Sequence, residues 1–296
     1  MSSIISIAQK ISEYDDAVKL DECLDYIPLA EIFESAAQDQ ENSARDEGDR
    51  VVIALLKWFK SHFKWVNAAP CAHCGNTETV GRGGTSPNEE EKKYGTQVTE
   101  VWHCDKCNSD TRFPRYNDLY KLLETESGRC GEWCHVMTYL LKSLGKDVRY
   151  IWNSEDHVWN EVWSDNEKRW IHVDSCEAAF DKPLIYADGW GKKMAYVIAV
   201  SNQGCKDVTN RYVRRPDAAL PRKLMSEQQL AGLLAQLTTN ARAGMDPVEL
   251  VNQSILDEEE DKELNSFVHA PTATESLQAR QSGSAEWTAS RGENGA

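Results

Sequence analysis

Cys130, His157 and Asp174 are the residues of this chain whose types and spacing could together perform nucleophilic chemistry. Cys130 stands in GRCGEWC, just where a helical pattern begins after Gly128 and Arg129. A thiol at a helix N-terminus feels the positive end of the dipole, which favours thiolate, the nucleophilic form. Cys134 follows one turn later on the same face, beside Val136, Met137 and Leu140, and reads as a packed thiol. A lone cysteine is more often a small buried hydrophobe than a nucleophile, so Cys130 needs partners. They occur in DHVWNEVWSDNEKRWIHVDSCE, which alternates on both sides of a polar SDNE turn and reads as a β-hairpin. A turn centred between Asp165 and Asn166 sets His157 opposite Asp174, Trp159 opposite His172 and Glu161 opposite Trp170. Opposed Cβ atoms lie about 4.5 to 5.5 Å apart, so Asp174 can bond one imidazole nitrogen, fix the tautomer and leave the other nitrogen for Cys130. Val158, Val162, Ile171 and Val173 then share the apolar face, and His172 reads as structural. Nucleophile, general acid and base, and orienting carboxylate together imply acyl transfer through a thioester.

A second constellation is CAHC at Cys71 and Cys74 with CDKC at Cys104 and Cys107. Two matched pairs suit Zn²⁺, which takes four tetrahedral ligands; Cys₄ leaves no open position, so one zinc ion here would be structural. A redox-active pair, or cysteines that only pack, are the alternatives; neither needs two matched pairs. His73 and His103 sit beside ligands and are spare if all four thiolates bind.

The elements that must position these groups follow from periodicity. Val51 to Phe63 has apolar residues at helical spacing without Gly or Pro, and it delivers the chain to Trp65 and Cys71. VGRGGTSPNEEEKKYGTQ, between Val80 and Gln97, reads as an exposed loop. Arg129 to Ser143 is helical, and Val148 to Val200 is a succession of short alternating runs, so the fold class is α+β. Ser226 and Asp246 are N-caps of two further helices, which read as packing or docking elements. The DEEEDKE run reads as a solvated face, and the Ser, Ala, Gly and Gln-rich end from about Asn265 as a tail without fixed structure.

The 296 residues suit one large or two smaller domains. A net charge of -15 argues against nucleic acid as partner. Neither an export signal nor an apolar run of about 18 residues is found, which argues against a membrane and for a cytosolic or nuclear address. Nine cysteines in so long a chain fit poorly with a disulfide framework. Six tryptophans (Trp133, Trp152, Trp159, Trp163, Trp170 and Trp190) fall in the central stretch, either as core or as a stacking cleft.

GRCGEWC, DVRYIWNSEDHVW, WIHVDSCE and the upstream FKWVNAAPCAHC resemble the cytoplasmic peptide N-glycanases of the transglutaminase-like superfamily, the short yeast-type enzymes in particular. TRFPRYND, KLLET, KKMAYVIAVS and the terminal SGSAEWTASRGENG extend the resemblance. It implies a transglutaminase-like, papain-like cysteine-proteinase core at 127–215, behind an N-terminal helical segment at 1–50 and a helix with a Cys₄ zinc-binding subdomain at 51–126. C-terminal helices at 216–264 and a flexible tail at 265–296 would follow. It further implies removal of N-linked glycans from unfolded or misfolded glycoproteins during ER-associated degradation, with Asn converted to Asp. Cys130 would be nucleophile, His157 base and Asp174 acid. The indole of Trp65 would join the Cys130 backbone N–H at the oxyanion, while Trp159, Glu161, Glu177 and Trp190 would hold sugar. The terminal helices would dock a proteasome shuttle factor bearing a ubiquitin-like domain. Arg149 would brace the cleft or pair with a surface acid. A transglutaminase or cysteine protease on the same triad, and a non-catalytic adaptor, are the competing readings.

Overall fold

A computed structural model describes residues 2–269 and 277–295. Three short helices, Ser2–Lys10, Ala17–Tyr26 and Leu29–Gln38, lead to the longer helix Glu47–His62. Asp46 caps that helix by accepting the Asp49 N–H at 2.7 Å, and the apolar stripe from Val51 to Phe59 is buried. Phe59 and Phe63 meet the Trp133 indole edge to face at 5.2 and 5.3 Å, which ties this helix to the one that begins at Cys130.

The central sheet has six antiparallel strands in the order Gly204–Asp207, Val197–Ser201, Val148–Asn153, His157–Ser164, Arg169–Asp174 and Ala179–Phe180. The helix Cys130–Ser143 packs across one face, burying Val136, Met137 and Leu140 with Val162, Ile171, Val173, Ile198 and Val200. The other face is covered as well. Trp159, Ile151, Val197 and Ala199 lie beneath Tyr186, Trp190 and Tyr212 and the end of the helix Pro247–Ser266 at Leu264. Burial on both sides makes His157, Asp174 and their neighbours interior groups, where an unpaired polar atom is costly.

Four expectations need correction. The hairpin pairs Glu161 with His172, Val162 with Ile171 and Trp163 with Trp170, so the register lies two residues from the one a central Asp165 and Asn166 gives. The cause is the turn. Asp165 to Lys168 forms the loop, with Lys168 at φ 52° and its N–H donated to the Ser164 carbonyl at 2.8 Å. A shift of two keeps every side chain on its face, so His157 and Asp174 still meet, diagonally. Second, the segment after Val80 is not all loop: Val80–Thr85 pairs with Thr99–Cys104, through an irregularity between Gly81 and Gly84, and Ser109–Pro114 completes a three-stranded sheet.

Third, Glu260 in the acidic run is buried. It accepts two bonds from Arg149, at 2.6 and 2.9 Å, and one from Arg211 at 2.9 Å. Arg149, stacked 3.8 Å from the Trp170 ring, therefore braces the sheet against the C-terminal helix. Fourth, residues 277–295 of the expected tail lie against the core, with helix Ala285–Ser290 and with Arg280, Ser282, Thr288 and Glu293 buried. Ion pairs replace the missing apolar content there, as Glu293 bonds Arg280, Lys192 and Arg291.

Candidate active site

Cys130 opens the helix Cys130–Ser143, and its position is set by the residues just before it. Trp65 and Gly128 pair as parallel backbone, with the Val66 N–H donated to the Gly128 carbonyl at 3.0 Å. A Cβ on Gly128 would stand 2.4 Å from the Glu132 Cβ, so only glycine lets Glu132 fold back. Glu132 then accepts the Arg129 N–H at 2.9 Å and both bonds of an Arg115 fork at 2.7 Å. Arg129 in turn bonds Glu100 on the small sheet and the Val66 carbonyl. The small three-stranded lobe and the start of the cysteine helix are thus one charged unit.

His157 Nε2 lies 2.8 Å from Asp174 Oδ2, and both side chains are essentially fully buried. Asp174 also accepts from the Tyr186 hydroxyl at 2.9 Å and the Cys176 N–H at 2.8 Å. Burial alone would raise the Asp174 carboxyl, but the His157 charge and hydrogen bond, with His172 and Tyr186, hold it well below the usual carboxylate range. The acceptor bond from the carboxylate assigns the Nε2–H tautomer to His157. Its Nδ1 has no hydrogen-bond partner among the described residues, Cys130 Sγ included, and is the nitrogen left to meet the thiol when the two are brought together. Burial pushes His157 down, against the attraction of Asp174.

Cys130 itself departs from the expected thiolate. Burial pushes its thiol up to about 11, against the nearby Arg280 charge. Attack by sulfur therefore requires that the thiol proton move as the substrate is engaged. Cys134 is the packed thiol, with Sγ 3.2 Å from the Trp159 carbonyl.

The remaining predicted contacts differ from expectation. Trp65 Nε1–H donates to Asn67 Oδ1 at 2.9 Å, so this indole is already engaged and does not stand free for an oxyanion. Trp159, Glu161 and Trp190 have interior partners where a solvent-facing cleft was expected. Glu161 accepts from Arg211 and the Tyr212 hydroxyl, both at 2.7 Å. The Trp159 ring lies 4.3 Å from Tyr186, and Trp190 is fully buried beside His157 at 5.1 Å. Glu177 holds the C-terminal segment, accepting the Gln281 and Ser282 N–H groups at 2.9 Å. Sequence reasoning missed Tyr186, which bridges His172 (2.7 Å) to Asp174, and Arg280, hidden in a Ser and Gly-rich stretch.

The Tyr186 bridge carries a prediction. Tyr186→Phe removes one bond to a buried carboxylate, worth about 1.5 kcal/mol, and should cost roughly tenfold in kcat/KM. A steady-state pH profile checks it: the limb governed by His157 should move with the loss, whereas a purely structural effect would lower the curve without moving it.

A second prediction concerns stability. Burial holds His172 down to about 4, below its unfolded value, so the unfolded chain binds that proton first as pH falls. The stability from the neutral His172 is full above about pH 6.5 and lost progressively toward pH 4, on the order of 3 kcal/mol. Asp174, depressed when folded, adds a further loss below about pH 4. Urea midpoints measured across this window should fall with pH; a flat profile would contradict the buried neutral imidazole.

In the small lobe the Cys71, Cys74, Cys104 and Cys107 sulfurs all lie within 4.8 Å of one another, with Cys71 3.4 Å from Cys107 and Cys74 3.7 Å from Cys104. Sulfurs on a tetrahedral zinc ion at about 2.3 Å stand about 3.8 Å apart, close to these separations, so the four thiols could hold a metal ion. None of the nine cysteines is in a disulfide.

The sheet, the cysteine at the helix start and the His–Asp pair define a transglutaminase-like protein. A profile described as the transglutaminase-like superfamily matches residues 77–175, and one described as the Rad4 transglutaminase-like domain matches 151–265. The crystal structure of Rad4–Rad23 bound to a 6-4 photoproduct lesion shares the fold, with TM-score 0.55 at 13% identity over 92% of this chain and 58% of that one. Peptide-N(4)-(N-acetyl-beta-glucosaminyl)asparagine amidases match far more closely. The Yarrowia lipolytica protein is 44% identical over 95% of this chain and 81% of its own length. That of Saccharomyces cerevisiae is 41% identical over 92% and 79%, and that of mouse 36% over 97% and 45%. The chain belongs to the peptide-N(4)-(N-acetyl-beta-glucosaminyl)asparagine amidase family.

Proposed function

We propose that this amidase hydrolyses the bond between N-acetylglucosamine and the Asn side chain through a thioester on Cys130. The observation that carries the mechanism is the buried His157–Asp174 pair with Nδ1 unpartnered. His157 takes the thiol proton at Nδ1 as sulfur attacks the side-chain amide carbon. The same proton passes to the leaving glycosylamine nitrogen, the C–N bond breaks and a Cys130 thioester remains. Water, deprotonated by His157, then adds to the acyl carbon, expels the thiolate and leaves Asp. Asp174 orients the ring and stabilises imidazolium. The N–H groups at the start of the helix Cys130–Ser143 are donors for the oxyanion. Hydroxylamine added during turnover tests this: it should divert the acyl group to an aspartyl hydroxamate, and Asp as sole product at every hydroxylamine concentration would contradict a thioester.

The four-thiol site fits one Zn²⁺ ion with a structural role, since Cys₄ ligation closes its coordination. Unfolded or misfolded glycoproteins are the substrates that suit so enclosed a reaction centre, in the cytosol or nucleus and within ER-associated degradation. Val248, Leu250, Val251 and Ile255 are exposed on the helix Pro247–Ser266, which supports docking of a proteasome shuttle factor with a ubiquitin-like domain.

A further inference from the structure

The C-terminal segment brings a cation to the reaction centre. Arg280 is 6% exposed, and its guanidinium lies 4.5 Å from the Trp190 and Trp287 rings and 5.4 Å from Trp65. Trp190 in turn touches His157, and Trp65 pairs in backbone with Gly128, two residues before Cys130. Three aromatic faces favour the charge but satisfy none of its N–H groups. Nε donates to Ser282 at 3.0 Å and Nη1 to Glu293, whereas Nη2 has no partner among the described residues. Glu293 is itself held by Lys192 and Arg291, and Glu177 fixes the backbone at Gln281 and Ser282. These contacts fix the guanidinium beside His157 and leave one buried donor over, Nη2, at the reaction centre. The charge of Arg280 acts on both Cys130 and His157.

We propose that Arg280 is a catalytic residue whose Nη2–H donates to the side-chain amide oxygen of the glycosylated Asn as that oxygen gains charge. This rests on Cys130 being the nucleophile. It supplies the side-chain donor for which Trp65 is no longer available, since that indole is engaged by Asn67. Arginine suits the position because its fork can hold Ser282 and Glu293 on two sides and present the remaining N–H to an oxyanion. It also gives the terminal segment a reason to be ordered over the core despite its polar composition.

The test compares Arg280→Gln, Arg280→Gly and Lys192→Met on a denatured high-mannose glycopeptide, with thermal melts to verify folding. Lys192→Met loosens the same segment but keeps the guanidinium. Arg280→Gln should lose about 10²-fold in kcat with little change in KM, as removal of an oxyanion donor does. Millimolar guanidinium should restore part of the kcat of Arg280→Gly, while Lys192→Met loses less than Arg280→Gln and gains nothing from guanidinium. The rate of Cys130 alkylation by iodoacetamide against pH gives a readout independent of deglycosylation: its midpoint should rise in Arg280→Gln. Equal losses in Arg280→Gln and Lys192→Met without guanidinium rescue would make Arg280 a structural clamp and overturn the proposal, as would kcat within twofold of wild type. A wild-type protein inactive on the glycopeptide, with the alkylation shift still present, would instead fault the amidase reading.

Discussion

Asp174→Ala is expected to lower kcat by roughly 10³-fold or more and to destabilise the protein by about 3 kcal/mol, because three buried donors converge on that carboxylate. His157 Nε2, the Tyr186 hydroxyl and the Cys176 N–H would all lose their acceptor in a region sealed from water. The catalytic part has a separate cause. Without Asp174 nothing fixes the Nε2–H tautomer, so the ring can present an N–H to the thiol where a lone pair is needed. Burial already disfavours the imidazolium, and losing the carboxylate would remove its main stabiliser. Single-turnover kinetics with a saturating glycopeptide, run beside urea denaturation, separate the two effects. Activity within tenfold of wild type in a folded Asp174→Ala protein would remove the carboxylate from the mechanism.

Withholding the metal ion that the four thiols are proposed to hold should have an equally large effect, on folding first. Cys71, Cys74, Cys104 and Cys107 bring together two turns that share little apolar core, with Cys74 exposed and Cys107 half-exposed. For such sites binding free energy is folding free energy, about 10 to 16 kcal/mol for structural zinc in small peptides. A chelator at a denaturant concentration too low to unfold the loaded protein should therefore unfold the lobe that carries Glu100. Since Glu100 holds Arg129 and Arg115, the start of the cysteine helix should loosen with it. Activity should fall in parallel with loss of the lobe's dichroism, and Cys71→Ser should behave the same way. An apoprotein that keeps its fold and melting temperature would contradict a structural ion.

How far the sequence disclosed this arrangement depended on whether the determining interactions were local. Cys130 at a helix start, the alternating strands around His157 and Asp174, and the two Cys-x-x-Cys pairs are local patterns, and each could be placed from spacing. The hairpin register depended on whether the turn closed over two residues or four, which the Lys168 left-handed conformation decides and SDNE does not announce. The error was harmless because two residues preserve the face. What alternation could not show is the cover on that face. Tyr186, Trp190 and Tyr212 come from irregular segments, and they turn an expected cleft of Trp159 and Glu161 into an interior. Glu260 illustrates the same limit in the charged residues: within its acidic run it looks solvated, and only Arg149 and Arg211, about 50 residues or more away in sequence, bury it. Arg280 was hidden by the polar composition around it, which signals disorder unless ion pairs supply the order.

The central claim is that Cys130 is the group that attacks the glycosylated Asn. Mass spectrometry of a denatured high-mannose glycopeptide treated with wild type or with Cys130→Ala tests it most directly. The wild type should release the glycan and leave a peptide one mass unit heavier than the Asn form, as conversion to Asp requires, and the variant should leave the glycopeptide intact. Glycan release by a folded Cys130→Ala protein at the wild-type rate would contradict the account.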